Sequence, residues 1–198
     1  MLTQANRTGR AAAASGVLMT AGVAGEWLLN PQRNDGTVTN TPVFALLLIT
    51  STIGFALLAY AVRRLRQEST RRTRPARAGA WMSMVGASLL TVFGAMVLVT
   101  GVIAGSPAEV SFLAFALGML LLSIGPVSWG LSLRSESPAA GVWQVLVLAG
   151  VAAFASIAIP LDPWHDVTLI GMFVAWSVIG LLLHGSRVTE PTFAGLRA

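Results

Sequence analysis

The chain has 198 residues, 55% of them hydrophobic and only 11% charged, with a formal net charge of +5. An ordinary soluble domain carries about 25% charged residues, so this composition excludes a disordered tail, a disulfide-rich secreted module and a typical soluble enzyme. Cysteine and lysine are both absent, all 13 basic residues being arginine. That removes disulfides, thiolate nucleophiles, iron–sulfur clusters, cysteine-ligated zinc and any Schiff base.

Six apolar segments approach or exceed the roughly 20 residues that cross a bilayer core of about 30 Å. They are Ala11–Leu29, Pro42–Ala61, Gly79–Ala104, Val110–Leu133, Ala139–Ile159 and Val167–Leu183. None carries an ionisable residue in its central turns, where one would cost roughly 2.5–3.5 kcal/mol. The pattern predicts an all-α, polytopic integral membrane protein: one transmembrane domain over 1–198, folded as a six-helix bundle. The first segment, with Arg7 and Arg10 before it and Gly22-Val23-Ala24 near its end, also has the outline of a secretory signal cleaved near residue 24. Its length and the five apolar segments after it favour a retained span.

The loop Asn30–Thr41 is polar and turn-rich, with Asn30-Pro31 and Asn34-Asp35-Gly36. It reads as a solvated hairpin connection or as a cap over an outward cavity. The second span carries Thr50, Ser51 and Thr52 at mid-depth. Residues 62–78 form an arginine-rich loop whose Arg63–Arg77 cluster should attract anionic lipid at about 1 kcal/mol per side chain. In the third span Gly79, Gly86, Gly94, Gly101 and Gly105 project, at about 100° per residue, into one broad arc. Small residues on one face admit a neighbouring backbone, so this helix is expected at the bundle's centre. The fourth span contains Gly125-Pro126, which predicts a kink, flanked by Ser123 and Ser128. With Gln144 of the fifth span, these hydroxyls suggest a small polar pocket near the cytoplasmic leaflet. For these residues, and for Thr50, Ser51 and Thr52, two readings compete: they bond within their own or a neighbouring helix, or they line a solute path or polar pocket.

The arginines set the direction. Arg7, Arg10, the seven arginines of the loop, Arg134, Arg187 and Arg197 all fall on one face of the six-span arrangement, and only Arg33 on the other. By the positive-inside rule both termini are then cytoplasmic and the protein sits in the plasma membrane, multi-pass. The calculated pI near 11.5 accordingly reports orientation and not a nucleic-acid partner. Trp27 and Trp164 fall near outer helix ends and Trp81, Trp129 and Trp143 near inner ones, as interfacial anchors do, while Trp176 is mid-span.

Catalytic signatures are missing. His165 and His184 lie at opposite ends of the last span, about 28 Å apart at 1.5 Å per residue, and cannot share a metal, a haem or a catalytic site. There is no HExxH, no aspartate-rich magnesium motif and no lysine for a phosphate loop. Asp162, His165 and Asp166 have spacings that converge on one side of a helical turn, on the same face as Glu26 and Glu109. They form a weak metal-site candidate; capping by Asp162, with Pro163 at the first helical position and Asp166 complementing the helix dipole, accounts for them better.

Gly125-Pro126-Val127-Ser128-Trp129, at the end of a fourth helix entering the cytoplasm, is similar to a stretch in sugar-porter members of the major facilitator superfamily, over five residues of 198. In size, six spans and cytoplasmic termini the chain also resembles the substrate-binding subunits of energy-coupling-factor vitamin transporters. Both resemblances imply a transport-related role. The expectation is a non-enzymatic, cofactor-free membrane protein that binds a small solute or serves a membrane complex. The rival is a scaffold whose helix faces bind another membrane protein and whose arginine loop reads lipid charge.

Overall fold

The computed structural model describes residues 2–29, 38–68, 73–104, 109–136, 141–159 and 164–185. They form six helices: α1 (Leu2–Leu29), α2 (Thr41–Glu68), α3 (Arg74–Ala104), α4 (Glu109–Glu136), α5 (Val142–Ala158) and α6 (Trp164–Gly185). No strand occurs among the described residues. Five of the helices are long and apolar enough to cross a membrane; α5, at 17 residues, is apolar but shorter.

Most helices outrun the apolar segments that announce them, because arginine is a good helix former and its long stem lets the charge reach water. Thus α2 continues through Arg63, Arg64 and Arg66, and α3 begins at Arg74. Their starts are capped. Asn40 Oδ1 accepts from Val43 N–H at 3.3 Å, and Thr73 Oγ1 accepts from Ala76 N–H at 3.5 Å. The helix α5 starts later than the apolar run, after Gly141, whose φ of 68° is left-handed and suits glycine alone among common residues.

Each helix packs closely along its neighbours in chain order, and α6 closes on α1, while Phe55 of α2 reaches Phe173 of α6 across the interior. The result is a closed ring of six, each helix antiparallel to the next. Gly79 meets Gly125 and Gly86 meets Gly118, in opposite registers, and Gly9 meets Gly180 while Gly16 meets Phe173 and Ser177. The third helix is therefore not central. Its glycines divide: Gly79 and Gly86 face α4, whereas Gly94 and Gly101 face Thr52 and Phe44 of α2. The eight-residue step from Gly86 to Gly94 turns the stripe by about 80°, enough to change neighbours. Gly105 lies outside the described residues.

The interior of the ring is filled with large side chains, including Trp176, Phe173, Met19, Leu58, Leu90, Met119 and Leu122, all essentially inaccessible. Outward, the helices expose Leu46, Ile53, Val92, Leu113, Leu117, Leu148, Val151, Phe154 and Leu181. An apolar belt on every helix far exceeds the patches that soluble monomers leave uncovered, and suits lipid. One expectation needs correction here. Trp129 is 3% exposed and belongs to the packed interior, not to an interfacial belt. Pro126 lies within α4, where Ser123 Oγ donates to Met119 O at 2.8 Å and Ser128 Oγ to Pro75 O of α3 at 3.3 Å.

Antiparallel closure sorts the charges. Arg7, Arg10, Arg63, Arg64, Arg66, Arg74, Arg77 and Arg134, all the arginines of the described residues, lie at one end of the ring. Three stack on aromatic faces there: Arg66 over Trp81 at 3.8 Å, and Arg64 over Tyr60 and Arg134 over Trp143 at 5.4 Å each. Glu26 and Asp166 lie toward the opposite end.

Candidate functional site

The half of the ring at the acidic end encloses a cavity of about 550 Å³, within the range of small-molecule pockets. Five helices line it. From α1 come Val23, Glu26 and Trp27, and from α2 come Leu48, Ser51, Thr52 and Phe55. These spacings of three and four residues place each set on one helix face. The first turns of α6 add His165, Asp166, Leu169 and Phe173, while Phe93 and Gly94 of α3 and Phe115 of α4 complete the wall.

The floor is aromatic. Phe55 meets Phe173 edge-on with centroids 5.8 Å apart, and Phe93 packs on Phe115 at 5.1 Å. Glu26 and Asp166 both line the cavity. No arginine lines the cavity among the described residues.

Hydrogen bonding fixes how the polar lining presents itself. His165 Nδ1 lies 2.7 Å from the Ser156 carbonyl of α5. A carbonyl only accepts, so Nδ1 carries the proton, and in the neutral ring Nε2 is an acceptor. The arrangement has a local cause. In a continuing helix the Ser156 carbonyl would receive the N–H of residue 160, which is proline and has none. The imidazole supplies the missing donor and ties the end of α5 to the start of α6. Thr52 Oγ1 donates to Leu48 O at 2.7 Å, which uses its proton and leaves its lone pairs available.

The residues singled out by sequence separate in space. Ser51 and Thr52 enter the cavity, but Thr50 turns aside and bonds to Leu46 O at 2.8 Å. Ser123, Ser128 and Gln144 do not line this cavity. Ser123 is buried and bonded within its helix, Ser128 reaches α3, and Gln144 is exposed. Among the described residues no group of three or more His, Asp or Glu side chains is arranged to hold a metal ion. Asp162 lies outside them, so the triplet with His165 and Asp166 is not described as a unit. Sequence reasoning offered Ser51 and Thr52 as pocket candidates but did not assemble the rest of the cavity. Its signal was the face Leu48-Ser51-Thr52-Phe55, where two small hydroxyls share a stripe with a phenyl ring.

No known family, curated protein or solved structure matches this chain. The site's own chemistry therefore carries the functional argument.

Proposed function

We propose that the chain is a six-span protein of the plasma membrane, with both termini cytoplasmic, whose outward-facing cavity binds a small solute in a transport-related role. The observation that carries this reading is the cavity of about 550 Å³ at the end of the ring opposite the arginines. Cation-rich ends face the cytoplasm, so the cavity faces out. Guanidinium groups stacked on Trp81, Tyr60 and Trp143 hold the cytoplasmic end at headgroup depth, where anionic lipid attracts them. Binding rather than catalysis is the reading that the lining favours. The Thr52 hydroxyl and the His165 Nδ1 proton are both committed to backbone carbonyls, and the walls around them are mainly apolar and aromatic side chains.

The chain has no cysteine, so single thiols report position without background. In intact cells expressing the full chain, Leu48→Cys or Val23→Cys should react with an externally added, membrane-impermeant cationic methanethiosulfonate. Gln67→Cys, exposed at the arginine end, should react only after permeabilisation. Labelling of Gln67→Cys from outside would overturn the orientation, and inert thiols at both cavity positions would overturn the cavity as a solute site.

A further inference from the structure

Resting on that reading of the cavity, we propose that its ligand is a small organic cation: a protonated amine bearing an apolar or aromatic substituent. Three features converge on this class.

The first is charge. Glu26 from α1 and Asp166 from α6 both contribute acidic side chains to the cavity, with no arginine in the lining among the described residues. A cleft bounded by one sign of charge and by low-dielectric walls concentrates the opposite sign.

The second is hydrogen-bond polarity. Thr52 Oγ1 and His165 Nδ1 spend their protons on backbone carbonyls, so what remains for the cavity is the Thr52 lone pairs and, in the neutral ring, the Nε2 lone pair of His165, beside a Ser51 hydroxyl that both donates and accepts. Together with the carboxylates they make a lining rich in acceptors, complementary to an ammonium group with its several N–H donors. An anion would meet repulsion, and a neutral alcohol would satisfy few of these acceptors.

The third is the wall. Phe55, Phe93, Phe115 and Trp27 surround the polar groups with ring faces and edges. Such rings attract a cation electrostatically and receive an apolar substituent at the same time. A bare calcium or magnesium ion fits poorly, since it requires six or more oxygen ligands at about 2.0–2.6 Å, and these walls are mostly hydrocarbon.

The test uses the full-length Leu48→Cys protein in detergent and follows its reaction with neutral methyl methanethiosulfonate. Three probes of matched shape compete: phenethylammonium, 2-phenylethanol and 3-phenylpropionate. Phenethylammonium should protect the thiol at concentrations about tenfold or more below the alcohol, and 3-phenylpropionate should not protect. Glu26→Gln and Asp166→Asn should each raise the half-protecting concentration of phenethylammonium by about tenfold, while Gln144→Ala, off the cavity, should leave it unchanged. An unaltered labelling rate without competitor certifies that each variant keeps the cavity. Equal protection by all three probes, preference for the alcohol or the carboxylate, or no protection by phenethylammonium overturns the inference and leaves the solute cavity standing. A thiol that never reacts overturns the cavity reading itself.

Discussion

Glycine has opposite consequences at the two ends of the ring. At the arginine end it lets backbones touch. A Cβ at Gly79 would sit 2.6 Å from the Gly125 carbonyl and 2.7 Å from the Trp129 amide nitrogen, and one at Gly9 would sit 2.9 Å from the Gly180 carbonyl. At the acidic end the neighbour is a side chain: Ser51 Oγ at Gly22, a Leu47 methyl at Gly25, Thr52 Oγ1 at Gly94 and the Phe44 ring at Gly101. A side chain between two helices keeps their axes further apart than a bare backbone contact does. Trp129, Leu146 and Ile179 fill the ring toward the arginine end, and the cavity lies toward the other. Six helices of similar composition make a plug at one end and a vessel at the other.

The largest effect should come from closing that contrast with a single methyl. Gly79→Ala or Gly125→Ala forces two rigid backbones apart and should destabilise the protein by roughly 3 kcal/mol, seen as an earlier unfolding midpoint on titration with denaturing detergent. Gly25→Ala meets only the end of a flexible leucine side chain and should cost less than about 1 kcal/mol. Equal costs at the two ends would break the comparison. A middle-sized effect is expected at the joint between α5 and α6. His165→Ala strands the Ser156 carbonyl, which no helical N–H can reach, at about 1–2 kcal/mol, and the Ile159 amide, now bonded to Ala155 O at 2.9 Å, should exchange hydrogen faster. The smallest effect has the opposite sign. Gly171 has nothing within 4 Å of a built Cβ, so Gly171→Ala should stabilise α6 by about 0.5–1 kcal/mol through reduced backbone entropy in the unfolded chain.

The helices were legible because the bilayer constraint is one-dimensional: a run of apolar residues without charge has few other ways to satisfy its backbone. Their edges were less legible, since Arg63 to Arg66 and Arg74 to Arg77 extend helices past the apolar boundary while remaining polar in composition. Helix neighbours were harder still. The arc of glycines on α3 was visible, but one eight-residue step inside it sends half to α4 and half to α2, and a count of small residues does not register that rotation. The polar residues misled for a physical reason. Ser123 satisfies itself on Met119 O, four residues back, and a hydroxyl that does so advertises nothing to a neighbour. Glu26, His165 and Asp166 were recognisable as sharing a face, but their union with Ser51, Thr52 and four phenylalanines depends on α6 closing against α1, a contact between the two extremes of the described chain.

The shortness of α5 bears on the surrounding lipid. Its 17 residues span about 25 Å at 1.5 Å per residue, whereas the 22 residues of α6 span about 33 Å and the 28 of α4 about 42 Å, against a hydrocarbon thickness of about 30 Å. If α5 crosses with the other five, as proposed, the acyl chains beside it would compress or the whole ring would lean toward that side. Either response would give the protein one thin flank, and with it a preferred azimuth for neighbouring molecules in the plane of the membrane.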